Sequence, residues 1–481
     1  MLVQIPSISD AVDDRGRLYK VFNIYIGGHY HCSLRYSHLL HFSQELGRNF
    51  DTSGLDEFPT KRVFSLTAAQ LDERRAGLER YLHSVCQDRV IQQSDMLKEF
   101  LVAAQKASSG VTDEDVSMEI FLINGNSVTI SGQSFSRSDE VLERAVVKIG
   151  ADPSLTYYFS LFLEEETGDG WTLYRHLQDH EAPFVSLKTV NSNGSFRITV
   201  RMSFWGPEMV SGVLADEAAT NLLYIETIDH ITKGEWEVGK EVKEKLAELG
   251  AKSLKKEYME TASTIPQFAY QQMEGLTFDH PSEDLHGFAR IGRREIVTYT
   301  TEGEGEWGGA QGHGVRCRSY QLTRIRCWKV GYWESGEKWL AFHYHHGDTE
   351  EDFVWVRLVG KATIFLTLCI QSAVNELIRI KRKQSVRLPS DGSQRRKTAL
   401  PIVKFHVSSQ NTGSRRESEA SQGSEVTDGP EEMSSGDLGK GGAGAERSAV
   451  CGMDLDTKTA TVKFSKTSEE NSFADGTEDD I

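Results

Sequence analysis

Apolar positions along the chain change period several times, and each change marks an element. In "LYKVFNIYI" (18–26) and "HYHCSLRY" (29–36) they alternate with polar ones, and Gly27-Gly28 between the runs is a good two-residue turn. This predicts a β-hairpin whose second arm puts Tyr30, Cys32 and Leu34 on one face, and His31, Ser33 and Arg35 on the other. From Ser37 the period becomes helical, with Leu39, Leu40, Phe42 and Leu46 at spacings of three and four and Ser37 as a suitable N-cap. Arg35 therefore falls where a strand ends and a helix begins, beside backbone N–H groups that favour anions. A second helix, "TAAQLDERRAGLERYLHSV", opens on a Thr67–Gln70 capping box. Its inward stripe is Leu71, Leu78, Tyr81, Leu82 and Val85, with Arg74 and Arg75 on the margins.

A third helix, "DMLKEFLVAAQKA", precedes the linker-like "SSGVTDED". Next come a hairpin with an Asn-Gly turn, "VSMEIFLINGNSVTISG", a helical "DEVLERAVVKIG", and strand-like "YYFSLFLEEE" and "WTLYRHL" around Asp169-Gly170. Residues 204–270 carry only helical patterns. From 271 the pattern is strand-rich again and closes on "KATIFLTLCIQSAVNELIRIKRK". There Ala362, Phe365, Leu366, Cys369, Ile370, Ala373, Val374, Leu377 and Ile378 make one apolar stripe. Beyond 386 the chain turns to Ser, Gly, Asp, Glu and Lys, too little apolar surface to offset chain entropy, and residues 387–481 read as disordered.

At 481 residues the chain exceeds one hydrophobic core. No apolar run has membrane-spanning length, and the N-terminus lacks a basic region followed by an apolar one. Cysteines 32, 86, 317, 327, 369 and 451 show no paired spacing, which fits reduced thiols in the cytoplasm. A net charge of −17 argues against general attraction to nucleic acid or membranes, so any phosphate recognition must come from a local basic pocket.

Such a pocket has candidates. Lys61 and Arg62 lie in the proline-bearing "EFPTKRVF", and an arginine turned toward a core is costly unless it is paired or meets an anion. Guanidinium groups clasp phosphate bidentately, lysine adds a point charge, and an aromatic ring can pack on an inositol ring. "RYSHLL", "FPTK" and "ERRAGLERYL", in this order and spacing, resemble the PX (phox-homology) family. The resemblance implies a phosphatidylinositol 3-phosphate site. In it Arg35 holds the 3-phosphate, Tyr36 packs on the inositol, Ser37 contacts phosphate, Lys61 meets the 1-phosphate side, and Arg74 meets the ring hydroxyls. Asp56 and Glu57 stand where the family often has proline and apolar residues, which weakens insertion beside anionic lipid.

"YYFSLFL" followed by the helical "NLLYIETIDHITKGEW" resembles the first two lobes of a FERM domain, and the strand-rich region resembles its phosphotyrosine-binding-like lobe. PX followed by FERM resembles the sorting nexins of the 17 and 31 branch. The fold class implied is α+β multidomain. It comprises a PX domain (1–108), a ubiquitin-like lobe (113–203), a helical lobe (204–270), a PTB-like lobe (271–386) and the disordered tail (387–481). A seven-stranded sandwich capped by a helix leaves a groove where an extended peptide adds a strand. In the resembled branch that groove binds NPxY or NxxY sequences of receptor tails, with Trp328 on the edge strand "RIRCWKV" and Val374 and Ile378 on the helix. Each of these three also suits a core position.

The glycine-rich stretch 301–314 lacks the Lys-Ser/Thr ending of a phosphate loop, and "HYHH" (343–346) spreads its histidines over both faces of a strand, so no metal site is expected. Nothing assembles a nucleophile, a base and an orienting acid, so neither an enzyme nor a cofactor is expected. The terminal Asp479, Asp480 and Ile481 resemble the branch's signal for the retriever/Commander recycling complex. The expectation is a cytoplasmic adaptor, peripheral on early endosome membranes, that spares receptors from degradation by returning them to the surface. The alternative is a scaffold whose ubiquitin-like lobe binds a Ras-type GTPase.

Overall fold

The structure is a computed structural model. It describes residues 1–381, apart from 14, 63–65, 169, 191–193, 283–284, 302–315, 333–336 and 348–351, together with residues 460–463.

Strands β1 (Val3–Val12), β2 (Leu18–Ile26) and β3 (His29–Leu34) form an antiparallel sheet in that order. Alternation in β2 and β3 buries Phe22, Ile24, Cys32 and Leu34. Four helices follow: α1 (Tyr36–Asn49), α2 (Ala68–Gln87), the short α3 (Arg89–Gln92) and α4 (Asp95–Ser109). Leu39, Phe42 and Leu46 of α1 and Leu78, Tyr81, Leu82 and Val85 of α2 close this core, and Phe42 stacks on Phe100 of α4 at 3.8 Å. The expected capping box opens α2, with Thr67 and Gln70 each accepting from the other's backbone N–H.

The next unit holds β4 (Asp115–Phe121), β5 (Ser127–Gln133), α5 (Ser138–Ile149), β6 (Phe159–Thr167), β7 (Gly170–His176), α6 (Pro183–Lys188) and β8 (Phe196–Met202). Its sheet runs β5-β4-β8-β6-β7, with β8 parallel to β4 at the centre. Helices α7 (Glu217–Thr232), α8 (Lys240–Ala251) and α9 (Lys255–Ala262) share its hydrophobic core.

The last unit is one continuous sheet of β9 (Gln271–Phe278), β10 (Leu285–Gly292), β11 (Glu295–Thr301), β12 (Arg316–Gln321), β13 (Ile325–Tyr332), β14 (Lys338–His345) and β15 (Phe353–Val359). Helix α10 (Thr363–Lys381) closes it. The strand order is β12-β11-β10-β9-β15-β14-β13, and β13 is extended by β16 (Ala460–Lys463). Of the tail read as disordered, these four residues are described; the rest lies outside the described residues.

The units are joined by specific contacts. Gly27 and Gly28, both at positive φ, set the β2–β3 turn against Leu368 and Ile364 of α10. Gln105 of α4 donates to Ser186 Oγ at 3.2 Å and accepts from Ala182 N at 2.8 Å, beside a His31–His180 ring contact of 5.7 Å. The Glu376 carboxylate of α10 accepts from the backbone N–H groups of Trp205 and Gly206.

Candidate functional site

Arg35 occupies the N-cap position of α1, with φ −73° and ψ 153°, and makes no side-chain capping bond. Ser37, expected as the cap, lies one residue inside the helix instead, because Tyr36 already has helical geometry. The Arg35 carbonyl accepts from the His38 and Leu39 N–H groups at 3.1 and 3.3 Å. With no side chain capping it, the first turn keeps N–H donors for an outside anion.

Two guanidinium groups stack on rings here. Arg35 Cζ sits 3.1 Å from the centroid of Tyr19, and Arg74 Cζ sits 4.3 Å from that of Tyr36. Stacking of this kind fixes the plane of the fork while leaving its N–H edges able to meet an anion. Tyr36 Oη donates to Pro59 O at 2.7 Å, and Arg74 Nη2 donates to Thr60 O at 3.4 Å. Those two bonds tie the loop that carries the exposed Lys61 to the same corner. The Ser37 side chain is exposed at the helix start. The local field is positive: burial, then the Arg35 charge, then His41 push the His38 imidazole below its usual range. Burial raises the Tyr36 hydroxyl, and Arg74 partly opposes it.

The neighbouring arginines have other tasks. Arg75 donates to Ile5 O at 2.8 Å and pairs with Asp72 at 2.7 Å and Glu79 at 3.6 Å, so it is committed to holding α2 on β1. Arg62 pairs with Glu73 at 3.3 Å. Asp56 and Glu57 are both exposed.

Tyr19 was missed in the sequence, and register explains why. A plain two-residue turn pairs Ile26 with His29, and continuing that ladder would put Lys20 across from Arg35. A shift between Ile24 and Tyr25 changes the pairing, so Phe22 meets Leu34. Continued one step, the shifted ladder puts Val21 across from Arg35 and Tyr19 diagonal to it.

In the last unit the edge strand β13 turns Trp328 and Val330 inward, both fully buried beside Leu340 and Phe342. Trp328 is thus core rather than groove wall, a correction to the expectation, because strand alternation sends it inward while Cys327 and Lys329 face out. Val374 is likewise buried against this core, and Ile378 lies partly buried at its margin. The open side of β13 accepts β16 antiparallel, pairing Cys327 with Lys463, Trp328 with Val462, Lys329 with Thr461 and Val330 with Ala460.

His343, from the "HYHH" run, stacks between Phe353 and Trp355 at 4.6 and 4.7 Å. Among the described residues no cluster of His, Cys, Asp and Glu could hold a metal ion, and no helix is long and apolar enough to cross a membrane. Residues 302–314 of the glycine-rich stretch and the terminal Asp479, Asp480 and Ile481 lie outside the described residues.

Models of known families match almost the whole described chain. The PX domain model covers residues 23–104, and the Sorting nexin 17/27/31, FERM domain, F1 lobe model covers 116–205. The Sorting nexin 17/31, FERM domain, F2 lobe model covers 208–266, and the Sorting Nexin 17 FERM C-terminal domain model covers 269–378. Sorting nexin-17 of Danio rerio is 31% identical over 426 residues, 84% of this chain and 88% of that protein. Sorting nexin-17 of Homo sapiens is 31% identical over 389 residues, 78% of this chain and 81% of that protein. Sorting nexin-31 of Mus musculus is 26% identical over 414 residues, 82% of this chain and 91% of that protein.

Proposed function

The chain belongs to the sorting nexins that carry a PX domain followed by a FERM module, and on that premise we propose a two-handed endosomal sorting adaptor. One hand takes phosphatidylinositol 3-phosphate and the other takes NPxY or NxxY peptides from receptor tails. Membership supports the coarse reading, an adaptor rather than an enzyme. The finer one rests on the residues.

The observation that carries the lipid reading is the pair of ring-stacked guanidinium groups, Arg35 on Tyr19 and Arg74 on Tyr36, at an uncapped helix start. Arg35 would clasp the 3-phosphate, with Ser37 and the first-turn N–H groups beside it. Tyr36 would face the inositol ring, Arg74 its hydroxyls, and Lys61 the 1-phosphate side. The fork is held before the ligand arrives, so less side-chain freedom is lost on binding.

The cargo reading is supported by β16, because β13 has an edge that accepts an extended segment in antiparallel register. Backbone bonds along 327–330 would supply affinity, and Ile378 with the outward Cys327 and Lys329 would supply side-chain contacts. Weak contacts to lipid and cargo in one chain combine into avidity on a membrane that displays both. Return of cargo to the plasma membrane through a recycling complex at Asp479–Ile481 is the third part of the proposal and rests on the sequence alone.

Sedimentation with vesicles of each monophosphorylated phosphoinositide tests the lipid hand. Wild type should select the 3-phosphate lipid, and Arg35→Ala should lose that binding at least about tenfold while melting like wild type. Equal binding by a folded Arg35→Ala would refute it.

A further inference from the structure

Glycine is a poor choice inside a helix, because it gives up the most backbone freedom on folding and alanine outranks it there. Gly77 nevertheless lies in the interior of α2, and it is buried. Its backbone is helical and its φ is not positive, so conformation does not call for glycine. Space does. A Cβ at position 77 would stand 2.7 Å from Pro59 Cγ, with Pro59 Cβ and Cδ at 3.6 and 3.8 Å.

Pro59 belongs to the loop that carries Lys61, and this loop runs along α2 in the reverse direction. Asp56 N donates to Ser84 Oγ at 3.1 Å, and the Phe58 ring meets Tyr81 edge-on at 5.0 Å. Pro59 then rests on Gly77, Thr60 O accepts from Arg74 Nη2 at 3.4 Å, and Arg62 pairs with Glu73 at 3.3 Å. Ser84, Tyr81, Gly77 and Arg74 follow one another at spacings of three and four, so the seat is one face of the helix. From the other side Tyr36 Oη donates to Pro59 O at 2.7 Å. Pro59 is thus held between the start of α1 and the middle of α2. Its Cγ is part of a ring closed on the backbone, so it yields by re-puckering or by moving the chain, not by swinging aside. The loop approaches α2 most closely at Gly77, two residues before the exposed Lys61.

We propose that Gly77 is a positioning residue of the headgroup pocket: by carrying no Cβ it seats Pro59 on α2 and so sets the depth at which Lys61 faces a ligand held by Arg35. The proposal rests on the headgroup reading of Arg35. Gly77 itself touches no ligand and acts through the loop. The Pro59 and Thr60 carbonyls fix the Tyr36 hydroxyl and the Arg74 fork, so a loop lifted off α2 would misplace Lys61 and loosen both of those groups together. Arg35, stacked on Tyr19 of β2, has no contact with the loop and keeps its place. Loop depth therefore governs how tightly the headgroup is held, while Arg35 governs which phosphate is chosen.

The test uses the full chain and soluble dibutanoyl phosphatidylinositol 3-phosphate, with its 4- and 5-phosphate isomers, by calorimetry. Gly77→Ala should bind the 3-phosphate lipid about fivefold more weakly or worse, yet keep its preference for that isomer. Within a Pro59→Ala background, where Cγ is gone, the same change should cost less than about twofold. There it should also raise the melting temperature, as alanine does inside a helix. Wild-type affinity in Gly77→Ala, an equal loss in both backgrounds, or loss of the isomer preference overturns the seating role and leaves the headgroup reading standing. A Gly77→Ala chain that does not fold overturns it too, since a seating residue must leave α2 intact. Failure of wild type to bind the soluble lipid overturns the headgroup reading and the seating role with it.

Discussion

Replacing Gly28 by alanine tests whether the first sheet and α10 are energetically one body. Gly28 has φ +77°, where a β-carbon costs about 1 kcal/mol in any surroundings. The surroundings add to it: a Cβ at position 28 would stand 2.9 Å from Ile364 Cγ2 and 3.2 Å from its Cγ1. Ile364 is itself buried, so it can yield only by leaving its rotamer or by pushing α10 away, at about 1–3 kcal/mol. Gly28→Ala should therefore destabilise by about 2–4 kcal/mol in urea unfolding. Several domains need not unfold in one step, so the comparison belongs to the transition that releases the β2–β3 turn. A double-mutant cycle separates the two parts. In an Ile364→Ala background the steric part should vanish, leaving about 1 kcal/mol from the backbone. If Gly28→Ala costs the same with and without the Ile364 side chain, the turn does not bear on α10 and the two units are merely neighbours.

Burial holds His29 and His180, at the seam between the first sheet and the unit around α6, at about 3, below their usual value of 6.5. The unfolded chain then binds more protons between those values, so stability is full above pH 6.5 and falls as the solution is acidified toward 3. Around His180 stand His31, Glu181 and Lys98, and acidification through the histidine range should expose the seam to protease before either core melts; His180→Asn should flatten that dependence. The tail segment 460–463 occupies the β13 edge that the cargo reading needs. Replacing Thr461 and Val462 by proline should remove its backbone donors and tighten binding of an NPxY peptide several-fold by calorimetry. Unchanged affinity would mean that the two segments do not share the edge. Glu376→Ala should cost about 1–3 kcal/mol, because it strands the N–H groups of Trp205 and Gly206, while Glu376→Gln should recover part of that in a thermal melt.

What the sequence made legible was whatever depended on period and on local turn chemistry. The first hairpin, the capping box of α2, the Asn-Gly turn before β5 and the stripe on α10 all express rules that act within one element. Strand β8, FRITVRM, alternates in the ordinary way, with Ile198 and Val200 in the core; what the sequence hides is that its polar face is buried as well, with Glu164 and Glu226 meeting Arg197 and Arg201 at 2.8 to 3.4 Å. Buried charge of this kind is tolerated because it is paired, and the pairing comes from β6 and α7, tens of residues away in the chain. The same limit governs the candidate site. Arg35 and Arg74 could be picked out by motif, yet the reason Arg35 is held in place is Tyr19, and only a register shift between Ile24 and Tyr25 brings that ring to it. Trp328 shows the converse. Its strand was legible, but which of two neighbours faced the edge was a matter of one residue in phase, and phase is set by the sheet that the strand joins.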